Sequence, residues 1–328
     1  MVDAGTSFGL GTFAVDGRTF AAIVVEEARV VPLGALHPSL VGLSVIDVLD
    51  RWTETWPLLQ EVAAKAPESD LAYDLAAVTV LAPHRPPQIL QAGANFREHV
   101  MQLAVAQMVA DTPFEEGRPD SYFSDKAAAD IDLRAREGEP YLFLGATSAI
   151  TGAYDDVVLP PRGAQPDWEL EMAAVIGTGG YYIPEDEALS HVAGWTIIND
   201  VSSRDLIFRT DIKSIGTDWL RGKNSPTFLP MGPWIVPSPF VPDPQQVQIQ
   251  LRLNGELMQD GSTSDMVFGF ARLISYVSQT VRLLPGDVIL SGSPSGNGAH
   301  YKRFLRDGDV MESTLTGLGT QRNTVRSV

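Results

Sequence analysis

The length, composition and charge of the chain are those of an acidic globular protein. Its 328 residues leave room for one large domain, or for a large domain with a small partner. No apolar run approaches the ~18 residues that a membrane span needs, and the net charge of −17 argues against nucleic acid, because phosphate contacts need a basic face. The absence of cysteine excludes disulfides, thiolate nucleophiles and thiolate metal sites. The first residues lack the features of a signal peptide, so we expect a cytoplasmic location.

Residues 1–85 predict a small α+β module. Residues 10–32 follow the pattern strand, turn, strand about Asp16-Gly17, which is a strong hairpin signal. Ser44 is the expected N-cap of a helix, with Asp47 three residues on, and the apolar spacing of that helix runs to Pro57. Four prolines between residues 66 and 87 place the domain boundary near 80–88.

Residues 86–328 predict a larger domain of short strands, so that the fold class is α+β and mainly β. Residues 247–259 alternate about Asn254-Gly255, which predicts another hairpin. Ser264 is the expected cap of a following helix. Residues 102–140 lack a regular pattern, and we expect them to form a long, partly helical excursion that serves as a lid.

The most informative segment is DWELEMAAVIG, residues 167–177, in which two acidic residues precede an apolar run typical of a buried strand. Side chains alternate between the faces of a strand, so Glu169 and Glu171 share one face about 6.7 Å apart. Two like charges entering a core are costly unless they are neutralised, and a hard divalent cation would do so. The alternative is a strand end at the surface, with both carboxylates exposed to solvent.

A second strand that ends in a carboxylate follows along the chain. Residues 195–199, WTIIN, have the mainly apolar pattern of a strand, and Asp200 comes directly after them. Two successive strands that each present acid at one end can converge on a single ion. Ligation by oxygen alone favours Mg²⁺ or Mn²⁺, with Ca²⁺ as an alternative. Asp200 could instead cap a helix formed by residues 202–205.

Several motifs, in a fixed order, resemble the fumarylacetoacetate hydrolase family. They cover roughly residues 88–315 and are GANFREH (93–99), YLFL (141–144), DWELEMAAVIG (167–177), GWTIINDVSSRD (194–205), GKNS (222–225), LNGELMQDGSTSDMVF (253–268) and PGDVILSGSPSG (285–296). The resemblance implies a mixed β-sandwich roll, a homodimer and a small oxo-acid substrate. It also implies a Mg²⁺ or Mn²⁺ ion held by Glu169, Glu171 and Asp200.

The same resemblance assigns roles to four further residues. His99 is the candidate general base, since imidazole titrates near neutral pH. Lys223 and Arg204 are implied as catalytic cations that face the substrate, and Ser293 as a hydroxyl that binds it. Together these parts imply a hydrolase that cleaves a carbon–carbon bond in an acylpyruvate or a related 2,4-dioxo acid.

One departure from the family pattern leaves the reaction open. Gln102 stands where some members have a Glu that pairs with the base, so either another acid takes that part (Asp111, Glu115 or Glu116) or the reaction is not hydrolysis. The alternatives on the same fold are a hydratase, a decarboxylase or a tautomerase of a 2-oxo acid. An alternative of another class is a non-catalytic module that binds a metal ion and an oxo acid.

Two other departures bear on the substrate. Gly145 replaces a Lys found in many members, and Ile207 replaces a Gln that some members direct at the substrate. Both changes predict a distal pocket that is less polar and roomier than the family pattern. We therefore expect an apolar or aromatic acyl group rather than a second carboxylate on the distal arm.

Overall fold

The N-terminal part of the chain forms a five-stranded antiparallel sheet with three helices. The structure is a computed structural model that describes residues 6–111, 121–212 and 214–328. The elements of this part are β1 (Phe8–Val15), β2 (Arg18–Val25), β3 (Arg29–Pro32), α1 (Leu33–Leu36), α2 (Val45–Asp50), α3 (Trp52–Lys65), β4 (Tyr73–Asp74) and β5 (Thr79–Val80). The strand order is β4-β3-β2-β1-β5.

Two local predictions for this part are confirmed, and the predicted end of the helix at Pro57 is wrong. β1 and β2 form the predicted hairpin, and Asp16 and Gly17 adopt the positive φ values that its two-residue turn requires. Ser44 and Asp47 form the predicted capping box at the start of α2. Helical structure does not end at Pro57, which lies inside α3; the helix continues past it because Leu59 and Val62 are buried on its far side, at the cost of the backbone hydrogen bond that proline cannot donate.

The rest of the chain forms fifteen strands and six α-helices within the described ranges. They are β6 (Ile89–Gly93), α4 (Arg97–Asp111), α5 (Tyr122–Glu137), β7 (Tyr141–Gly145), β8 (Ile150–Gly152), β9 (Val157–Leu159), β10 (Pro166–Asp167), β11 (Leu170–Ile176), β12 (Val192–Asn199), β13 (Ser202–Ser203), α6 (Arg204–Ile207), α7 (Trp219–Lys223), β14 (Leu229–Met231), β15 (Val236–Pro237), β16 (Gln248–Leu253), β17 (Glu256–Ser262), α8 (Phe270–Ser278), β18 (Val288–Leu290), α9 (Gly298–Tyr301), β19 (Val310–Leu315) and β20 (Gly319–Ser327). The chain is therefore α+β and mainly β, as the sequence predicted.

A large mixed sheet positions the acidic residues. Its strand order is β7-β6-β18-β11-β12-β14-β8, and β15 also pairs with β12. The pairs β18–β6 and β14–β8 are parallel, whereas β11 is antiparallel to both of its neighbours. A second sheet has the order β17-β16-β19-β20-β9. β11 and β12 are adjacent at the centre of the large sheet and are buried along their whole length.

The two faces of β11 contribute to two different hydrophobic cores. Met172 and Ala174 belong to a core that includes residues of the second sheet, such as Leu251. Ala173 and Val175 belong to a core that includes residues of the N-terminal helix α3. The N-terminal module therefore shares a core with the large sheet, and the domain boundary at residue 85 stays a prediction.

The hairpin predicted for residues 247–259 is confirmed, but the helix predicted after it begins later. β16 and β17 pair across Asn254-Gly255, where both residues have positive φ. Ser264 lies in a 3-10 turn, and α8 starts at Phe270 with Gly269 as its N-cap. The prediction was wrong because Ser264 lies inside the 3-10 turn, which Ser262 caps, and the chain becomes α-helical only after Gly269.

The excursion predicted at residues 102–140 is mainly helical where it is described. α4 and α5 account for most of it, and Arg97 of α4 forms an ion pair with Asp132 of α5. Glu115, Glu116 and the side chain of Asp111 lie outside the described residues. The role of this excursion as a lid stays a prediction. Within the described ranges, neither these helices nor any other is long and apolar enough to cross a membrane.

Candidate metal centre and active site

Three buried carboxylates converge at one end of β11 and β12. The strands are antiparallel, and the Asp200 N–H donates to the Glu169 carbonyl at 2.8 Å. The start of β11 and the end of β12 therefore bring their acidic residues to the same edge of the sheet. One oxygen from each of Glu169, Glu171 and Asp200 can be chosen so that all lie within 4.8 Å of one another. Glu169 is 8% exposed and the other two 1%. The alternative of a solvent-exposed strand end is therefore wrong.

Two cations contact this cluster, and neither extends freely into solvent. Lys223, at the end of α7, is 3% exposed, and its ammonium donates to Glu169 Oε2 at 2.7 Å and to Asp200 Oδ2. Arg204, at the start of α6, donates to Glu169 and, through Nε, to Asp167 Oδ2 at 2.8 Å. Asp200 therefore pairs with Lys223, and the alternative role as a helix cap is wrong: the N-cap of α6 is Ser203.

The charges of this cluster leave an excess of two negative charges when all its members are ionised. Four carboxylates (Asp167, Glu169, Glu171 and Asp200) face two cations (Lys223 and Arg204), and four minus two is two. Burial, together with Asp200 and Glu169, raises the pKa of Glu171 well above its usual range. Burial also raises the pKa of Asp200 to about 6. A divalent cation would supply the missing charge.

A further observation fits an ion at this place. Asp200 Oδ1 is buried and has no hydrogen-bond partner among the described residues, although buried carboxylate oxygens are normally satisfied. The donor set consists of carboxylate oxygens alone, which hard cations such as Mg²⁺, Mn²⁺ and Ca²⁺ prefer. The triad is therefore well suited to hold a divalent cation.

The two cations keep Glu169 ionised, and the carboxylates in turn keep Lys223 charged. Burial raises the pKa of Glu169, but Arg204 and Lys223 outweigh it and hold that pKa below its ordinary range. Burial lowers the pKa of Lys223, but Asp200 and Glu169 outweigh it and raise that pKa above its ordinary range. Glu169 is accordingly a carboxylate and Lys223 an ammonium ion near neutral pH.

His99 lies in the first turn of α4 and is close enough to the cluster to interact with it electrostatically. Burial lowers its pKa, Glu169 opposes that shift, and Arg204 and Lys223 reinforce it. The imidazole is therefore neutral near pH 7 and can accept a proton. His300, which belongs to none of the sequence motifs, is also near enough to lower the pKa of His99.

The structure gives Gln102 a partner other than His99. Gln102 Nε2 donates to Glu98 Oε1 at 2.8 Å, four residues earlier on the same helix. Gln102 therefore pairs with a neighbour on its own helix, at the position where some members have a Glu that pairs with the base. Among the described residues, Glu169 is the carboxylate whose charge acts on His99, and the side chains of the three candidate acids lie outside the described residues.

Ser293 lies in the turn at residues 292–296, which is hydrogen-bonded to the triad. The N–H of Gly292, whose φ is 83°, donates to Glu171 Oε2 at 2.8 Å. Ser293 is 6% exposed, and its hydroxyl accepts a hydrogen bond from Gln259 Nε2 at 2.8 Å. Asp167 and Gln259 are two polar residues of this site whose role the sequence did not predict.

An aromatic wall, formed by Tyr141, Phe143 and Trp219, stands beside Lys223. The rings of Phe143 and Trp219 stack with centroids 4.8 Å apart. The ammonium of Lys223 lies 5.7 Å and 5.9 Å from these two centroids. The centroid of Tyr141, which is 44% exposed, lies 6.2 Å from that of Phe143. Lys223 thus separates the carboxylates from a partly exposed apolar surface.

The expectation of a roomier pocket at Gly145 and Ile207 is wrong. A Cβ atom added at Gly145 would lie 2.7 Å from Gln91 Oε1, so the buried Gln91 side chain already fills that space. Ile207 is 2% exposed and packs against Gly222 of α7, where a Cβ would meet Ile207 Cγ1 at 2.6 Å. Ile207 therefore supports the helix that carries Lys223.

Comparisons with known proteins agree with the motifs. A family model described as fumarylacetoacetate (FAA) hydrolase C-terminal matches residues 88–326. A mitochondrial oxaloacetate tautomerase of Bos taurus is 35% identical over 302 residues, which cover 90% of this chain and 83% of that protein. A 2,4-didehydro-3-deoxy-L-rhamnonate hydrolase of Sphingomonas sp. (strain SKA58) is 45% identical over 190 residues, which cover 57% of this chain and 65% of that protein, just under two thirds of its length.

Solved structures give the same result for the fold. The fumarylacetoacetate hydrolase from psychrophilic Exiguobacterium antarcticum matches with a TM-score of 0.74 at 28% identity, covering 98% of this chain and 100% of that one. A probable 2-hydroxyhepta-2,4-diene-1,7-dioate isomerase from Mycobacterium abscessus matches with a TM-score of 0.73, also at 28% identity, covering 98% and 99%. The resemblance and the fold predicted from the motifs are confirmed.

Proposed function

Because this chain belongs to the fumarylacetoacetate hydrolase family, we propose that it is a divalent-metal-dependent enzyme that cleaves a carbon–carbon bond in an acylpyruvate or a related 2,4-dioxo acid. The observation that carries the proposal is the buried triad of Glu169, Glu171 and Asp200 with Lys223 against it. A site for a structural ion alone has no use for a buried ammonium and a neighbouring imidazole. The arrangement suits a small anion that bears oxo groups.

The triad would hold Mg²⁺ or Mn²⁺, with Ca²⁺ as the alternative. When bound, the ion polarises the oxo groups of the substrate and stabilises negative charge that develops on them. Lys223 adds a permanent positive charge next to the same carboxylates, because its neighbours raise its pKa. Arg204 fixes Glu169 by a hydrogen bond and is itself held by Asp167. Arg204 therefore orients the metal-binding carboxylate of Glu169, as outer-shell partners of metal sites generally do.

His99 moves the proton in this proposal. As neutral imidazole it takes a proton from water while the water oxygen bonds to the distal carbonyl carbon, and the π pair of that carbonyl moves to its own oxygen. The carbonyl then re-forms as the bond from that carbon to the neighbouring methylene breaks, and the electron pair of the broken bond passes to the methylene carbon. That carbon recovers the proton from His99. The products are pyruvate and the carboxylic acid of the acyl group, so atoms and charge balance.

The aromatic wall supports an apolar or aromatic acyl group on the substrate. Its stacked rings lie within 6 Å of the Lys223 ammonium, so a substrate bound at the triad would place its distal arm near them. Planar apolar groups gain from stacking on such rings, whereas a second carboxylate would meet a Lys223 ammonium that Glu169 and Asp200 already pair. The expected preference is therefore kept, although the reason for it is the wall rather than Gly145.

A tautomerase of a 2-oxo acid is the second candidate. Gln102, at the position where some members have a Glu that pairs with the base, is bound to Glu98, so an amide stands where a carboxylate would favour activation of water. A relative that matches 90% of this chain is named an oxaloacetate tautomerase. Conversion of the enol to the keto form removes a proton from the enol oxygen and adds one to the neighbouring carbon, which His99 can perform without the addition of water.

Parallel assays separate these functions. Acetylpyruvate, benzoylpyruvate and fumarylpyruvate are tested for release of pyruvate, and enol-oxaloacetate for conversion to its keto form, each with Mg²⁺. We expect release of pyruvate, with kcat/KM highest for benzoylpyruvate. Tautomerisation of oxaloacetate without cleavage of any dioxo acid would show a tautomerase instead of a hydrolase. A preference for fumarylpyruvate would contradict the expectation of an apolar acyl group on the substrate.

The proposal extends to the setting of the enzyme. We propose a homodimer located in the cytoplasm, with a small-molecule substrate and without nucleic acid or membrane as a partner. The strong net negative charge of −17 supports the exclusion of nucleic acid. Sedimentation equilibrium of the purified chain tests the dimer, and a monomer at micromolar concentration would contradict it.

A further inference from the structure

Gln259 of β17 connects two parts of the candidate site that belong to different segments of the chain. Its side chain is fully buried, and all three of its hydrogen bonds are internal. Its Oε1 accepts from the N–H of Leu170, the residue between Glu169 and Glu171, at 3.1 Å. Its Nε2 donates to Ser293 Oγ and to the Pro294 carbonyl, both at 2.8 Å.

These partners determine the orientation of the amide. A backbone N–H can only donate, so the atom facing Leu170 must be the oxygen. A backbone carbonyl can only accept, so the atom facing Pro294 must be the nitrogen. A flipped amide would meet a like group at both places. The hydroxyl of Ser293 therefore faces an N–H group and acts as an acceptor toward Gln259.

The hydroxyl of Ser293 is left with one hydrogen to donate. Among the described residues, its acceptor is the Pro294 carbonyl, and at 3.4 Å that contact is long for a hydroxyl donor. The preceding N–H of Gly292 is bound to Glu171, which ties this turn to the triad. The free hydrogen suits an oxygen of a ligand held at the triad, particularly a carboxylate oxygen.

We propose that Gln259 is a positioning residue that commits the Ser293 hydroxyl to donate to a carboxylate or carbonyl oxygen of the oxo-acid ligand. This inference rests on the part of the proposed function that places the ligand at Ser293. It requires binding of a ligand but not cleavage of one. A chain that binds oxalate but does not cleave acylpyruvates would contradict the proposed function and leave this inference standing.

Oxalate binding to the Mg²⁺-loaded protein tests the inference by calorimetry. Ser293→Ala removes the donor, and Ser293→Thr keeps it. Gln259→Glu keeps the shape of the side chain but places an oxygen where the amide nitrogen was. The Ser293 hydroxyl then donates its hydrogen to that oxygen instead of to the ligand. Gln259→Met, of similar length, removes every hydrogen bond. Exposed Gln246→Glu is the matched control for the added charge.

We expect Ser293→Ala, Gln259→Glu and Gln259→Met each to weaken oxalate binding roughly 10- to 100-fold, the loss expected for a hydrogen bond to a charged group. Ser293→Thr and Gln246→Glu should remain within about 3-fold of the unmodified chain. Mg²⁺ affinity measured without oxalate should change little in every variant, since none removes a triad oxygen.

The double variants separate positioning from general damage to the fold. If Gln259 acts through Ser293, Gln259→Glu and Gln259→Met should have less than about a 2-fold effect in the Ser293→Ala background. Equal losses in both backgrounds would overturn the inference, because Gln259 would then act through the strand rather than the hydroxyl. Unchanged oxalate binding by Ser293→Ala would also overturn it, whether or not the Gln259 variants fold.

Discussion

Replacement of Glu171 by Gln should make the metal-free protein more stable and its metal binding weaker. One oxygen of Glu171 lies within 4.8 Å of an oxygen of Glu169 and of Asp200. Two unit charges at that distance repel by about 3.5 kcal/mol at an effective dielectric constant of about 20. Attraction to Lys223 and protonation near neutral pH offset part of this cost. The amide oxygen can still accept from the Gly292 N–H. We therefore expect a net gain of about 1–3 kcal/mol in the free energy of unfolding.

The opposite signs of the two effects make this prediction specific. Denaturation with urea in the presence of a chelator measures the gain in stability, and calorimetric titration with Mg²⁺ and Mn²⁺ measures a loss of affinity that we expect to reach at least about 100-fold. Exposed Glu187→Gln is the matched control and should change neither quantity. A Glu171→Gln protein that is less stable than the unmodified chain in chelator would refute the reasoning, since the carboxylate would then be stabilising without an ion.

Three more predictions concern the base, the wall and the pH dependence. His99→Ala should lower turnover roughly 10²–10⁴-fold with Mg²⁺ affinity nearly unchanged, and normal turnover would place the base elsewhere. Trp219→Leu should raise KM for benzoylpyruvate roughly 2- to 10-fold more than for acetylpyruvate, and equal effects would remove the wall from the substrate site. Burial raises the pKa of Asp200 to about 6, so the folded metal-free protein binds the proton of the Asp200 carboxyl more tightly than the unfolded chain does. The stability that this bound proton contributes is lost as the pH rises through about 6. The increase in Tm on adding Mg²⁺ should therefore be larger at pH 7.5 than at pH 5, and calorimetry that finds the reverse would contradict the pKa of Asp200.

The features that could be predicted from sequence are those set by neighbouring residues. The turn at Asp16-Gly17 and the capping box of Ser44 depend on contacts within a few residues. The convergence of the acids needs only the two-residue period of a strand and the antiparallel pairing of successive strands. That convergence is the most distant contact that a local pattern predicted correctly.

The features that could not be predicted depend on contacts between distant segments. Phe143 and Trp219 stack although they are far apart in sequence, and no local pattern pairs them. Gly145 suggested an open space, but Gln91 from the neighbouring strand fills it. Gln259 lies on the polar-rich strand of a predicted hairpin, where nothing in the alternation shows that its side chain reaches Ser293. Such residues are found only when the sheets are packed together.

The metal dependence of carbon–carbon cleavage tests the central claim most directly. The measurement is the release of pyruvate from benzoylpyruvate by chelator-treated protein, before and after Mg²⁺ or Mn²⁺ is restored. The buried triad with its excess of two negative charges predicts that release stops in chelator and returns with either ion. Full release by the metal-free protein would contradict the proposal that Glu169, Glu171 and Asp200 hold a catalytic ion.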